Sequence, residues 1–124
     1  KNLTIEMHEL QIRRGKSQPI RVCLEYIYEN LHSRISLEQL AKRACLSIPY
    51  LCSLFKREVG VPISKYIVQQ KIEVAKSMLL QTAYSAKDIS NYLDFSSQSY
   101  FIHCFRRECG LTPYQFRKKT HFLP

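Results

Sequence analysis

A chain of 124 residues that repeats itself once, at a spacing near 50, has few architectures open to it. Ser36, Leu40, Ala41 and Leu46 match Ser85, Ile89, Ser90 and Phe95 at a separation of 49 residues. From Tyr50 the separation is 50, so that Tyr50, Leu51, Phe55, Lys56, Arg57, Glu58 and Gly60 correspond to Tyr100, Phe101, Phe105, Arg106, Arg107, Glu108 and Gly110. One residue has been inserted in the turn of the second copy. The segments "FKREVG" and "FRRECG" agree residue by residue and carry two of only 3 glycines. Two diverged copies are fewer than the roughly three repeats a helical solenoid needs. The spacing therefore favours two small helical units in tandem over an extended array.

Within each copy the local signals spell helix, tight turn, helix. Ser36 with Gln39 three residues on forms a reciprocal capping box, and Leu37, Leu40 and Ala41 follow as the inward face. Cys45 and Leu46 break that pattern. Ser47 caps a second helix with Leu51, Leu54, Phe55 and Val59 inside, and Gly60 supplies its left-handed stop. The second copy repeats the scheme with Ser85 and Asp88, and a closing helix starts at Thr112 and Pro113 with Gln115 completing its cap. Ahead of the first copy, Pro19 opens an amphipathic helix that Ser17 can cap, with Ile20, Leu24, Ile27 and Leu31 in one stripe and an end near His32. Between the copies, Pro62 to Gln81 reads as one long helix, with Ile63, Tyr66, Ile67, Val74, Ala75, Met78 and Leu79 available for packing. At about 1.5 Å per residue it spans about 30 Å. The expected organisation is a connector over 1–17, a first helix-turn-helix unit over 18–61, a linker helix over 62–81 and a second unit over 82–124.

Composition narrows the function. There are 19 Lys and Arg against 10 Asp and Glu, a formal charge of +9 spread along the chain, which favours a polyanionic partner. The longest uncharged stretch, Ala44 to Phe55, is far shorter than the roughly 20 apolar residues of a membrane-spanning helix. The chain begins at Lys1 rather than Met and shows no secretory signal pattern, so it reads as a piece of a cytoplasmic protein. The 5 cysteines, Cys23, Cys45, Cys52, Cys104 and Cys109, are odd in number and lack zinc-ligand spacing, so no disulfide framework, metal or cofactor is expected. Most should be small buried hydrophobes, with Cys52 the exception. His8 lies in the connector, His32 is expected to cap a helix end and His121 sits in a tail. No ordered nucleophile, base and acid and no Gly-rich phosphate loop is present, so the chain is not expected to be an enzyme.

If Leu51, Leu54, Phe55 and Val59 face inward, Pro49, Cys52, Ser53 and Lys56 share the opposite face of the first copy's second helix. In the second copy Phe101, Cys104 and Phe105 face inward. Ser99, Ile102, His103 and Arg106 face outward, with Gln98 just ahead of them. Gln98 suits adenine, His103 suits guanine and Ile102 suits a thymine methyl, whereas the first copy offers mainly Ser53 as a versatile hydrogen-bonding group. The second copy should therefore discriminate bases more directly, and the first should lean on phosphate contact and duplex shape. Lys42, Arg43, Lys56, Arg57, Arg106, Arg107, Arg117 and Lys118 are the candidate phosphate contacts. Cations near helix C-termini are also favoured by the helix dipole alone, so this assignment stands beside a purely surface role.

Over residues 18–119 the sequence resembles the AraC family of bacterial transcription regulators. The matching stretches are "ISLEQLAKRACLSIPYLCSLFKREVGVPISKYI", "KIEVAKSMLL" and "DISNYLDFSSQSYFIHCFRRECGLTPYQFRK". The resemblance implies an all-α domain of about seven helices, two helix-turn-helix subdomains on a long linker helix, and binding to promoter DNA. It places base contacts at Pro49, Cys52, Ser53, Gln98, Ser99 and His103. A separate effector or dimerisation domain would lie outside this chain, and RNA polymerase would be a further partner. The sequence departs from the family pattern at Lys71, where many members have Arg, at Asp94 for Gly, at Ser90 for Ala and at His103 for Arg. Asp tolerates left-handed geometry, so the second turn should survive.

Recognition helices about 30 Å apart would match successive major-groove segments about 34 Å apart on one duplex face. One chain would then fill an asymmetric site on the order of 20 base pairs. The rival reading is a helical protein-interaction module whose basic surface meets an acidic partner. It predicts no preference for duplex sequence.

Overall fold

The computed structural model describes residues 14–120. The first thirteen connector residues, with His8 and Arg13, and the last four, with His121, lie outside the described residues. Among the described residues there are seven helices and no strand: α1 (Gln18–Glu29), α2 (Leu37–Ala44), α3 (Ile48–Val59), α4 (Ile63–Gln81), α5 (Ala86–Tyr92), α6 (Gln98–Cys109) and α7 (Pro113–Thr120). They form two compact units. Among the described residues one takes 14–30 together with Ile35–Tyr66, and the other takes Leu31–Arg34 and 67–120.

In the first unit α1 packs on α2 and α3, burying Ile20, Leu24 and Ile27 with Leu40, Ala41, Leu51 and Phe55. The first residues of α4 add Ile63 and Tyr66, the latter edge-on to Phe55 with ring centroids 5.5 Å apart. The hydroxyls of Tyr28 and Tyr66 meet at 3.0 Å, which keeps two phenol oxygens hydrogen-bonded inside the core. In the second unit Ile72, Ala75 and Leu79 of α4 close against Ile89, Leu93, Phe101, Cys104 and Phe105. Phe101, Phe105 and Phe116 stack edge to face in series, at 5.9 and 5.5 Å.

The expected caps at the starts of α2, α3 and α5 are present. Ser36 and Gln39 exchange both bonds of a capping box, at 3.1 and 3.2 Å, and so do Ser85 and Asp88 at the same distances. Thr112 and Gln115 do likewise at α7. Ser47 and Ser97 accept from the amides of Tyr50 and Tyr100. The duplication extends to the backbone of the turns. Cys45 and Asp94, 49 residues apart, both lie in the left-handed region, with φ of 59° and 58°. In each case the following amide, of Leu46 or Phe95, reaches back to the carbonyl of Ala41 or Ser90 at 3.0 and 2.9 Å. Gly60 and Gly110 end α3 and α6 at φ of 97° and 80°, where only glycine sits without strain.

Four expectations need correction. Leu37, expected on the inward face of α2, is exposed at the start of the helix, where Leu40, Ala41 and Ala44 are the buried residues. Ser17 occupies the N-cap of α1 but makes no side-chain cap; its amide instead donates to Glu58 Oε1 at 2.8 Å, so a carboxylate from the end of α3 serves the start of α1. His32 caps nothing: α1 ends at Glu29 with Asn30 as cap, Asn30 Nδ2 donating to the Tyr26 carbonyl, and His32 stacks on Tyr92 at 6.2 Å. Most cysteines are not buried. Cys23 and Cys104 are, but Cys45 is exposed because the left-handed turn carries it outward, and Cys52 and Cys109 are half-buried. Burial pushes the Cys23 thiol up to about 11, leaving it a protonated core residue.

Burial opposes the charge on Glu58, but the Ser17 amide and the neighbouring Lys16 and Arg57 outweigh it and hold the carboxyl below its ordinary range. Such a group stabilises the fold above its unfolded pKa and loses that effect as pH falls through its folded pKa. Glu58→Gln, which keeps an acceptor for the Ser17 amide but removes the charge, should therefore cost less than about 1 kcal/mol at neutral pH, the size of a charge near a helix N-terminus. Thermal melts of both proteins should converge only once the pH has fallen below the depressed folded pKa of Glu58. At the turns, Cys45→Gly should raise stability by about 0.5 kcal/mol, the relief of a left-handed Cβ less the added freedom of the unfolded chain. Asp94→Gly should bring no gain, because Asp tolerates that conformation and its carboxylate also offsets the burial of the Lys71 ammonium; denaturant midpoints of the two variants give the comparison.

Candidate nucleic-acid interface

Because short helices are fixed by what they bury, the core side of α3 and α6 decides which residues point away from it. Leu51, Leu54 and Phe55 are buried in α3, and Phe101, Cys104 and Phe105 are buried in α6. From Tyr50 to Gly60 and from Tyr100 to Gly110 the sequence of buried, half-buried and exposed positions is the same at every residue. The two copies thus present one surface pattern carrying different side chains.

On α3 that surface places Pro49, Ser53 and Lys56 in solvent, with Cys52 half-buried between them and Arg57 exposed at the helix end. Cys52, Ser53, Lys56 and Arg57 line one side of a shallow groove whose other side is Leu37, Pro62, Ile63 and Ser64. On α6 the exposed set is Gln98, Ser99, His103, Arg106 and Arg107, with Ile102 half-buried and packed partly against the core. Gln98 and Ser99 sit in the first turn of α6, where free amides add a positive end to the dipole. Arg106 and Arg107 stand in its last turn, as Lys56 and Arg57 do in α3.

The eight candidate phosphate-binding cations are not equally free. Lys42, Lys56, Arg57 and Arg106 are exposed. Arg43 is exposed but lies over the Tyr26 ring, 4.4 Å from its centroid, and Lys118 sits 5.9 Å from that of Tyr114. Arg107 Nε is 3.7 Å from Glu108, a loose and solvated pair. Arg117 is half-buried and holds the fold together. Its Nε donates to the Leu79 carbonyl at 3.1 Å and a terminal nitrogen to the Thr82 carbonyl at 3.0 Å, closing the C-terminal end of α4.

Sequence reasoning passed over two features. Tyr50 and Tyr100 occupy equivalent places in the first turns of α3 and α6, and both remain exposed despite their size. The signal was their pairing at a separation of 50, which marked them as repeated without saying on which face. The second is Lys71, noted only as a departure from the family pattern. It is 7% exposed, and its Nζ donates to the Leu93 carbonyl at 2.6 Å and the Ser33 carbonyl at 3.3 Å. Its place in the sequence, four residues after Ile67 and four before Ala75, put a cation where the helical period calls for an apolar residue. Ser90, another departure, is buried and spends its hydroxyl on the Lys87 carbonyl at 2.9 Å.

Among the described residues no cluster of His, Cys, Asp and Glu could hold a metal ion, and no helix is long and apolar enough to cross a membrane.

A family model described as a helix-turn-helix domain matches residues 40–119. The bifunctional transcriptional activator/DNA repair enzyme AdaA of Bacillus subtilis (strain 168) is 33% identical over 105 residues, which cover 84% of this chain and 49% of that protein. The chain spans half or less of the length of the curated relatives it matches, which are transcription regulators. A solved transcriptional regulator of Chromobacterium violaceum with an AraC-type DNA-binding domain is similar at a TM-score of 0.78 and 25% identity, covering 83% of this chain and 92% of that one. The DNA-binding domain of AdpA, solved with a target DNA, shares the fold at a TM-score of 0.79 and 23% identity, covering 87% of this chain and 100% of that one. With the duplicated helix-turn-helix and the matched span together, the chain belongs to the AraC-type helix-turn-helix family of transcription regulators.

Proposed function

We propose that this domain is the sequence-specific, double-stranded DNA-binding part of a bacterial transcription regulator, and that it places α3 and α6 in successive segments of the major groove of one duplex. The observation that carries this reading is the shared exposure pattern of Tyr50–Gly60 and Tyr100–Gly110 on a chain of net charge +9. Two equivalent surfaces, each small and polar toward its start and cationic toward its end, suit a polymer that presents the same groove twice. A protein-interaction module would need no such repetition.

The outward residues then divide by chemistry. Gln98, Ser99, Ile102 and His103 read base edges from α6, and Pro49, Cys52 and Ser53 meet the groove from α3, where only Ser53 offers versatile hydrogen bonding. Lys42, Arg43, Lys56, Arg57, Arg106, Arg107 and Lys118 neutralise phosphate. Arg117 contributes charge from a fixed position, because two of its donors are spent on carbonyls. The domain works without a catalytic step, in the cytoplasm, and effector response or dimerisation belongs to other parts of the regulator.

Selection of bound duplexes from a random pool should enrich an asymmetric site on the order of 20 base pairs. A pool that stays unenriched would refute the reading and favour the protein-interaction alternative. On the selected site, His103→Ala should weaken discrimination by about 1–3 kcal/mol at the bases it reads, with Ser53→Ala smaller. The reverse ranking would move the main readout to α3. Affinity should fall steeply with salt, and Arg57→Ala or Arg106→Ala should each lower the log–log slope by about 1 while weakening all sequences alike.

A further inference from the structure

A buried ammonium is costly unless its hydrogens are used, and the place where Lys71 uses them is specific. Its Nζ lies 2.6 Å from the carbonyl of Leu93, the C-cap residue just after α5, and 5.7 Å from the centroid of the Phe95 ring. Between those two residues stands Asp94, the left-handed residue of the turn that leads into α6. The same ammonium reaches the Ser33 carbonyl at 3.3 Å, in the Leu31–Arg34 segment of this unit, where His32 stacks on Tyr92 of α5. Phe95 in turn packs on Phe101 of α6 at 5.0 Å. One cation therefore holds the C-cap carbonyl of α5 and lies beside the aromatic ring on which the first turns of α6 rest, with the Asp94 carboxylate acting on it through charge alone. The equivalent turn of the first unit carries the uncharged Ala44, Cys45 and Leu46. Burial lowers the Lys71 pKa and the Asp94 carboxylate opposes that effect, in keeping with a charge retained for its contacts.

We propose that Lys71 is a positioning residue for DNA recognition: by clamping the α5–α6 turn it fixes the angle at which α6 presents Gln98, Ser99 and His103, and so sets discrimination in the half of the site read by α6 without touching the DNA. This inference rests on the proposed DNA-binding function. Its characteristic consequence is a local one. Loss of the clamp changes readout at one end of the site and leaves the other end alone, which a general loss of stability does not do.

The test uses the whole chain and a duplex site selected with the unaltered protein. The half read by α6 is the set of base pairs at which His103→Ala loses discrimination. Lys71→Met is expected to reduce discrimination there about tenfold while leaving it unchanged in the half read by α3, and Lys71→Arg, which keeps the charge and the donors, is expected to restore it. Equal loss over both halves, no loss in either, or failure of Lys71→Arg to rescue overturns the proposal. Lys71→Gln, which keeps a donor without the charge, carries the same comparison if Lys71→Met does not fold, with the same outcomes for and against. Failure to select any site with the unaltered chain refutes the DNA-binding function itself, and a selected site on which the Lys71 variants behave evenly refutes only the positioning role.

Discussion

Helices of seven to twelve residues do not hold in water by themselves, because nucleating a turn costs more than so few hydrogen bonds return. Everything else in this chain follows from that constraint. The short pairs α2 with α3 and α5 with α6 persist only as long as their apolar faces close on a third helix, α1 in one unit and α4 in the other. Since the buried face is obligatory, the opposite face is determined too, and packing asks nothing of it. The surface assigned to nucleic acid is the remainder left by two small cores.

Each unit also has a polar tie that reaches across the chain. In the first, Glu58 at the end of α3 accepts the amide that starts α1. In the second, Arg117 of α7 satisfies carbonyls at the end of α4, and Lys71 satisfies the end of α5. All three place a charge against the helix end of opposite sign, so helix termini that packing would leave unsatisfied become fastening points. These contacts limit where the helices can sit more tightly than apolar packing alone, which tolerates sliding.

What the sequence made legible was whatever depends on neighbours three or four residues away. The boxes at Ser36, Ser85 and Thr112, the stops at Gly60 and Gly110, and the inward faces of α3 and α6 are all of that kind. The ties were not legible: Glu58 lies 41 residues from Ser17, and Arg117 lies 38 from Leu79. Nothing in local periodicity brings such groups together. His32 and Cys45 were misread for a related reason. Helical spacing says which residues share a face, but not where a helix gives up its last turn or which residue takes the left-handed step. Most of the outward candidates, from Pro49 to His103, could be named because the core leaves them exposed, but Cys52 and Ile102 are half-buried and Ile102 packs partly against the core, which spacing alone does not tell.

The identical exposure pattern of α3 and α6 bears on how such a domain changes over generations. Substitutions at solvent-facing positions outside caps and turns usually shift stability by less than about 0.5 kcal/mol, so the outer residues of either copy are free to drift while the fold is retained. In a symmetric dimer one such substitution rewrites both halves of a palindrome together. Here the outer residues of the two copies, Ser53 in one and His103 in the other, are encoded separately, so a substitution in one copy leaves the surface of the other as it was.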